Sequence, residues 1–108
     1  MSHYLFVQSQ DGFTETRTAQ QFQLAGQLQE AGHNVSLVLV QNGVTQARAG
    51  ARTEHFDRLL AQGVRVIADE FSLRQREIGA DDLKPDIAVG DVDVIIDALL
   101  AKHKVIWN

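Results

Sequence analysis

Asp69 and Glu70 are adjacent carboxylates, and Ser72 follows two positions later. Two neighbouring carboxylates are the least that can divide general-acid and general-base roles. Successive residues leaving a strand point in different directions, however, and no nucleophile partner accompanies this pair; the other reading is an acidic segment flanking a capped helix. Ser72 has no nucleophile-elbow context, and Ser72-x-x-Gln75 has the spacing of a capping box. Polar side chains that could hold a small ligand recur in two other segments: Gln10, Asp11, Thr14 and Glu15 in one, Asn42 in the other. His3, His33, His55 and His103 show no HxxxH or related ligand spacing, so no metal site is expected. Gly12 and Gly43 stand alone, outside any phosphate-cradling motif, and no cofactor is expected. There is no cysteine among the 108 residues, which excludes thiolate nucleophiles, thiol ligands and disulfides. No catalytic residue is assigned.

These side chains are useful only where a fold brings them together. Tyr4-Leu5-Phe6-Val7 reads as a buried strand and residues 9–16 as a polar loop. Over residues 17–31, Phe22, Leu24, Ala25, Leu28 and Ala31 fall on one helical arc, with Thr14 or Thr16 able to cap its start and Gly32 placed for a left-handed C-terminal cap. Val35 to Val40 is the clearest strand, broken by Gln41-Asn42-Gly43, with a short helical turn within residues 44–50. A helix over residues 53–62 carries Phe56, Leu59 and Leu60 and ends at Gly63; Val64 to Ala68 is the third strand. Residues 69–72 read as a loop, followed by a brief helix over residues 73–77 and a loop over residues 79–85. Ile87-Ala88-Val89 is a short strand. Val92, Ile95, Ile96, Leu99 and Leu100 mark an amphipathic helix over residues 91–101, and Lys104 to Trp107 closes the pattern as a strand.

Strands alternating with helices across short connections predict a single three-layer α/β domain over residues 1–108. The expected sheet has five strands, mainly parallel, with helices on both faces. In such a sheet, ligands sit beyond the C-terminal strand ends. That places residues 9–16, 41–44 and 69–72 in one neighbourhood and defines a candidate ligand-binding set: Gln10, Asp11, Thr14, Glu15, Asn42, Asp69, Glu70 and Ser72. The competing reading is that these are solvated loop and cap residues. Trp107 is either an anchor in a subunit contact or a side chain packed on the last helix.

An apolar fraction of 44% with 22% charged residues argues for a folded globular chain. The ten Lys and Arg residues are scattered and the net charge is −4, so no nucleic-acid partner is expected. No window approaches the ~20 apolar residues of a membrane helix, and the start shows no secretory pattern; the expected location is the cytoplasm, away from membranes.

The order of short motifs adds a family resemblance. Leu73-Arg74-Gln75-Arg76-Glu77-Ile78 precedes Asp82-Leu83-Lys84-Pro85, then the helix over residues 91–101 and Lys104-Val105-Ile106. The first half contributes Ala31-Gly32-His33 and Asn42-Gly43-Val44. Over essentially its whole length the chain resembles the DsrE/DsrF family of sulfur-relay proteins, with the TusD-like (DsrEFH) fold. The sulfur-carrying members hold a persulfide on a cysteine just after a central strand. Here that position falls on Asp69, or on Ala68 if the register shifts by one, and the glycine of the family's Arg-Gly-Ile element is Glu77. The resemblance implies a homo-oligomer, trimer or hexamer, or a hetero-oligomer with a paralogue, because several subunits of the heteromeric relays also lack the cysteine. The function expected is that of a non-catalytic binding or accessory protein, with a small polar ligand as a further partner; the alternative is an enzyme or ligand sensor using the carboxylates of the strand-end crevice.

Overall fold

The computed structural model describes residues 2–11 and 16–108. Its strands are β1 (His3–Gln8), β2 (Asn34–Leu39), β3 (Arg65–Asp69), β4 (Ile87–Gly90) and β5 (Lys104–Trp107). The α-helices are α1 (Thr16–Glu30), α2 (Glu54–Ala61), α3 (Glu70–Gln75) and α4 (Asp93–Leu100), with 3-10 helices at Gln41–Ala47 and Ala80–Asp82. All strand pairings are parallel and the order is β4-β3-β2-β1-β5. From β1 to β4 the chain steps in one direction across the sheet; it then returns to the far side of β1. Crossovers of one hand place helices on opposite faces when that direction reverses.

Strand alternation sorts the core accordingly. Phe6, Leu37, Leu39, Val66 and Ala68 face one side, packed with Phe22, Ala25, Phe56, Leu59 and Leu73 from the helices between β1 and β4. The Phe22 and Phe56 rings, 5.9 Å apart, join α1 to α2. Leu5, Val7, Val38, Val40 and Ile67 face the other side, where α4 supplies Ile95 and Ala98. Of the two faces, the first is thickly covered and the second carries one eight-residue helix.

Gly32 ends α1 as expected, at φ +92°, with the His33 N–H bonding the Leu28 carbonyl. The loop before β4 is held to α2 by Lys84, whose Nζ donates to Thr53 Oγ1 at 2.5 Å and Asp57 Oδ1 at 2.8 Å. Among the described residues no helix is long and apolar enough to cross a membrane.

Four expectations shift. The helical turn expected within residues 44–50 is the 3-10 helix Gln41–Ala47, which begins directly after β2, so Gln41 and Asn42 are its first residues rather than a loop. The segment 69–72 is no loop either: Asp69 ends β3 and α3 starts at Glu70, three residues before the expected helix, because Asp69 and not Ser72 is the cap. The stripe that marks the amphipathic helix α4 is mostly outward, since only Ile95 of it is buried. Trp107 is 61% exposed, so it does not bury itself against α4. The expected Thr14 cap and the loop at residues 12–15 lie outside the described residues, as does the side chain of Thr16.

Glu77 follows α3 at φ +55°, the left-handed region, with the Ile78 N–H closing back on the Leu73 carbonyl. This is the position where the resemblance places a glycine. A side chain there costs about 1–2 kcal/mol, partly offset by the greater chain entropy that a glycine loses on folding. Replacing Glu77 by Gly is therefore expected to stabilise the fold by roughly 0.5–1 kcal/mol, read as a rise of a few degrees in Tm by circular dichroism. A lower Tm would show that the Glu77 side chain contributes contacts that outweigh its backbone strain.

Candidate functional site

Because β1, β2 and β3 are parallel neighbours, their C-terminal ends open on one edge. At the end of β3, Asp69 is 5% exposed and its carboxylate faces the first turn of α3. Its Oδ2 accepts from the Ser72 N–H at 3.0 Å and from the Ser72 hydroxyl at 2.6 Å. The Ser72 oxygen in turn accepts from the Gln41 N–H at 2.8 Å, which ties the end of β2 to α3. Arg76 completes the link, donating to Asn42 Oδ1 through Nη2 at 2.9 Å and to the Ser72 carbonyl at 3.2 Å. One carboxylate thus satisfies N–H and O–H donors that would otherwise be orphaned at the start of a helix.

A second polar network lies under the end of β1. Gln8 is buried, and its Nε2 donates to the Gln10 carbonyl at 2.9 Å and to Thr18 Oγ1 at 3.0 Å. Its Oε1 accepts from Asn108 Nδ2 at 3.0 Å, and the Thr18 hydroxyl donates to the Asp11 carbonyl at 3.2 Å. Gln46, also buried, donates to the Gln10 carbonyl at 3.4 Å. The two networks approach at Gly43, where a Cβ would collide with the Gln8 carbonyl oxygen. Only glycine allows the 3-10 helix to sit this close to β1.

Of the eight expected ligand residues, Asn42, Asp69 and Ser72 meet in the first network, while Gln10 and Asp11 enter the second through their backbone carbonyls. Glu70 does not join them: it is exposed and pairs with Arg74 at 3.7 Å. Asp69 and Glu70 therefore diverge. Thr14 and Glu15 fall outside the described residues. Gln8, Thr18, Gln46 and Arg76 were not anticipated. For Gln8 a signal existed, since period-two alternation puts it on the same inward face as Phe6; for Gln46 and Arg76 the side-chain links to Gln10 and Asn42 span more than thirty positions.

The Asp69–Ser72 hydrogen bond has the length of a base–nucleophile contact, but both residues are buried and the hydroxyl is already bonded as donor and acceptor. Its evident work is capping. The larger hollows lie elsewhere. A groove of about 510 Å³ at the opposite edge is lined by His3, Ser36, Arg65, Asp97 and His103 among others, and one of about 310 Å³ separates α1 from α2. A pocket of about 70 Å³ adjoins Thr18 and Gln46. His3 and His103 stack at 4.5 Å, and His33 Nδ1 accepts from the Ser2 N–H. No three His, Asp or Glu side chains among the described residues gather as metal ligands.

Removal of the cap is measurable. Asp69→Ala is expected to destabilise the fold by about 2–3 kcal/mol in urea unfolding, since the Ser72 donors lose their acceptor in a buried site. Asp69→Asn, which keeps an acceptor oxygen, is expected to cost about 1 kcal/mol or less. Equal losses in both would mean that the charge, not the cap geometry, stabilises this corner.

Comparison with known proteins places this geometry. The profile of the DsrE/DsrF-like family matches residues 2–107. Among solved structures, MTH1491 from Methanobacterium thermoautotrophicum, a protein of unknown function, is similar at 21% identity and TM-score 0.87, with all of both chains covered. The ychN protein from E. coli is similar at 20% identity and TM-score 0.88, again over the whole of both chains. BT1422 from Bacteroides thetaiotaomicron, also of unknown function, reaches 14% identity and TM-score 0.77 over 97% of this chain and 94% of its own. At these identities the likeness establishes the shared fold alone. None of the curated proteins matches the chain.

Proposed function

Because the chain belongs to the DsrE/DsrF-like family and contains no cysteine, we propose that it is a non-catalytic member, a binding or accessory protein related to the sulfur-relay proteins. One observation carries this reading: the residue at the expected thiol position, Asp69, holds the first turn of α3 through Ser72. A carboxylate can neither attack nor carry sulfane sulfur. Ala68, the other possible register, has only a methyl group and is fully buried.

The protein works in the cytoplasm as a homo-oligomer, a trimer or hexamer, and takes a small polar ligand at the strand-end crevice. Gln10, Asp11, Thr14, Glu15, Asn42, Asp69, Glu70 and Ser72 are the residues assigned to it. The parallel edge supports this, since it gathers the Gln41–Asn42 and Asp69–Ser72 segments. Assembly with a cysteine-bearing paralogue is the variant of this reading in which the chain is a structural subunit. The rival is an enzyme or ligand sensor that uses the carboxylate of Asp69 or of Glu70 in the crevice; Asp69 is bonded to Ser72 and Glu70 faces Arg74.

The purified protein, incubated with a small-molecule persulfide, is expected to acquire no bound sulfane sulfur and to pass none to a thiol acceptor. Single-turnover transfer by the protein alone would overturn the proposal. A native mass spectrum is expected to show a homo-oligomer. A discrete added mass per subunit, together with an activity lost in Asp69→Asn or in Glu70→Gln while folding persists, would establish the rival instead.

A further inference from the structure

The outward side of α4 is apolar. Ile95 and Ala98 are buried against the sheet, with Val94 partly covered. Val92, Ile96, Leu99 and Leu100 form one stripe on the opposite side, and their exposure runs from 49% at Val92 to 77% at Leu100. The flank containing Val94, Asp97 and Ala101 lines the groove over β2 and β3, so the stripe is turned away from that groove. Trp107 adds to the apolar surface: Val105 packs under α4, and alternation puts Trp107 on the same side of the sheet. Apolar surface gathered in this way, on a helix that also faces a core, marks an interaction site.

Charge decides what covers it. Acids stand at the start of α4, at Asp91 and Asp93, and bases beyond its end, at Lys102 and Lys104. Among the described residues neither Asp93 nor Lys102 forms an ion pair within the chain. A helix that is acidic at one end and basic beyond the other, with an apolar stripe between them and its one mid-helix charge, Asp97, on the groove flank, is complementary to its own reverse. A two-fold axis placed between Asp97 and Ala98 sets Ile96 against the partner's Leu99, and Asp93 against the partner's Lys102. Each contact then occurs twice, and the helix dipoles run antiparallel.

We propose that α4 is the surface through which two copies of this chain associate, antiparallel about a two-fold axis, with Ile96, Leu99 and Leu100 at the centre and Asp93–Lys102 pairs at the ends. The proposal rests on the homo-oligomer reading and adds its surface and symmetry. A two-fold contact makes a dimer, or joins two trimers into a hexamer; a lone trimer has no such axis.

Sedimentation velocity over a concentration series tests it, on the wild type and on Asp93→Lys, Lys102→Asp, the double reversal and Ile96→Glu/Leu99→Glu. All four positions are exposed, and Asp tolerates the left-handed conformation of Lys102, so circular dichroism melts are expected to stay close to the wild type. Each single reversal is expected to weaken association roughly tenfold or more by opposing like charges, and the double reversal to recover it. The double Glu variant is expected to lose the two-fold contact at every concentration. A wild type that is monomeric throughout would overturn both this proposal and the oligomer reading. An assembly indifferent to every variant would overturn the α4 surface alone, and a double reversal that fails to recover would overturn the antiparallel register.

Discussion

A parallel sheet has to be covered on both faces, and the order β4-β3-β2-β1-β5 covers them unequally. Three successive crossovers in one direction place α1, α2 and α3, with the long 3-10 helix, over the face that carries Phe6, Leu37 and Val66. The single return crossover leaves α4 alone over Leu5, Val38 and Ile67. The rest of the molecule follows from that imbalance. On the crowded face the larger cluster of buried side chains forms, and Gly43 marks how closely the 3-10 helix approaches β1. On the sparse face an eight-residue helix buries two residues fully and presents large apolar side chains outward.

At the strand-end edge a single carboxylate organises the start of a helix. In the relay proteins that the chain resembles, the residue after the central strand carries sulfur. Here β3 ends in a carboxylate whose oxygen bonds Ser72, while the Ser72 oxygen accepts from the Gln41 N–H. Asp69 and Ser72 thereby join the end of β3, α3 and the 3-10 helix that follows β2. Gln8, Thr18 and Gln46 do similar work below β1. Polar residues that cluster at a strand edge read as a site when seen as a string of letters; in space, many of them satisfy one another.

The Asp69–Ser72 correction has a simple physical origin. Ser72-x-x-Gln75 and Asp69-x-x-Ser72 both have cap spacing, and the sequence contains no statement of where β3 ends. Asp69 takes the cap because it leaves the strand in extended geometry, φ −68° and ψ 122°, with its carboxylate beside the Ser72 N–H. The same kind of ambiguity affected α4. A stripe at i, i+3, i+4, i+7 and i+8 establishes an amphipathic helix, but burial also requires a surface on which to lie.

The sequence by itself determined the fold class, the five strands, the parallel alternation and the absence of thiol chemistry. These depend on local periodicity, on connection length and on composition, all of which can be read one residue at a time. The family was legible for the same reason, since its short motifs keep their order along the chain. Only the tertiary structure decided which polar residues cap and which remain free, that Glu70 turns away from Asp69, and that Val92, Ile96, Leu99 and Leu100 face outward. Those outcomes depend on which surfaces distant segments bring to one another: the Ser72 hydroxyl, 31 positions beyond Gln41, accepts from the Gln41 N–H only when β2 and β3 lie side by side.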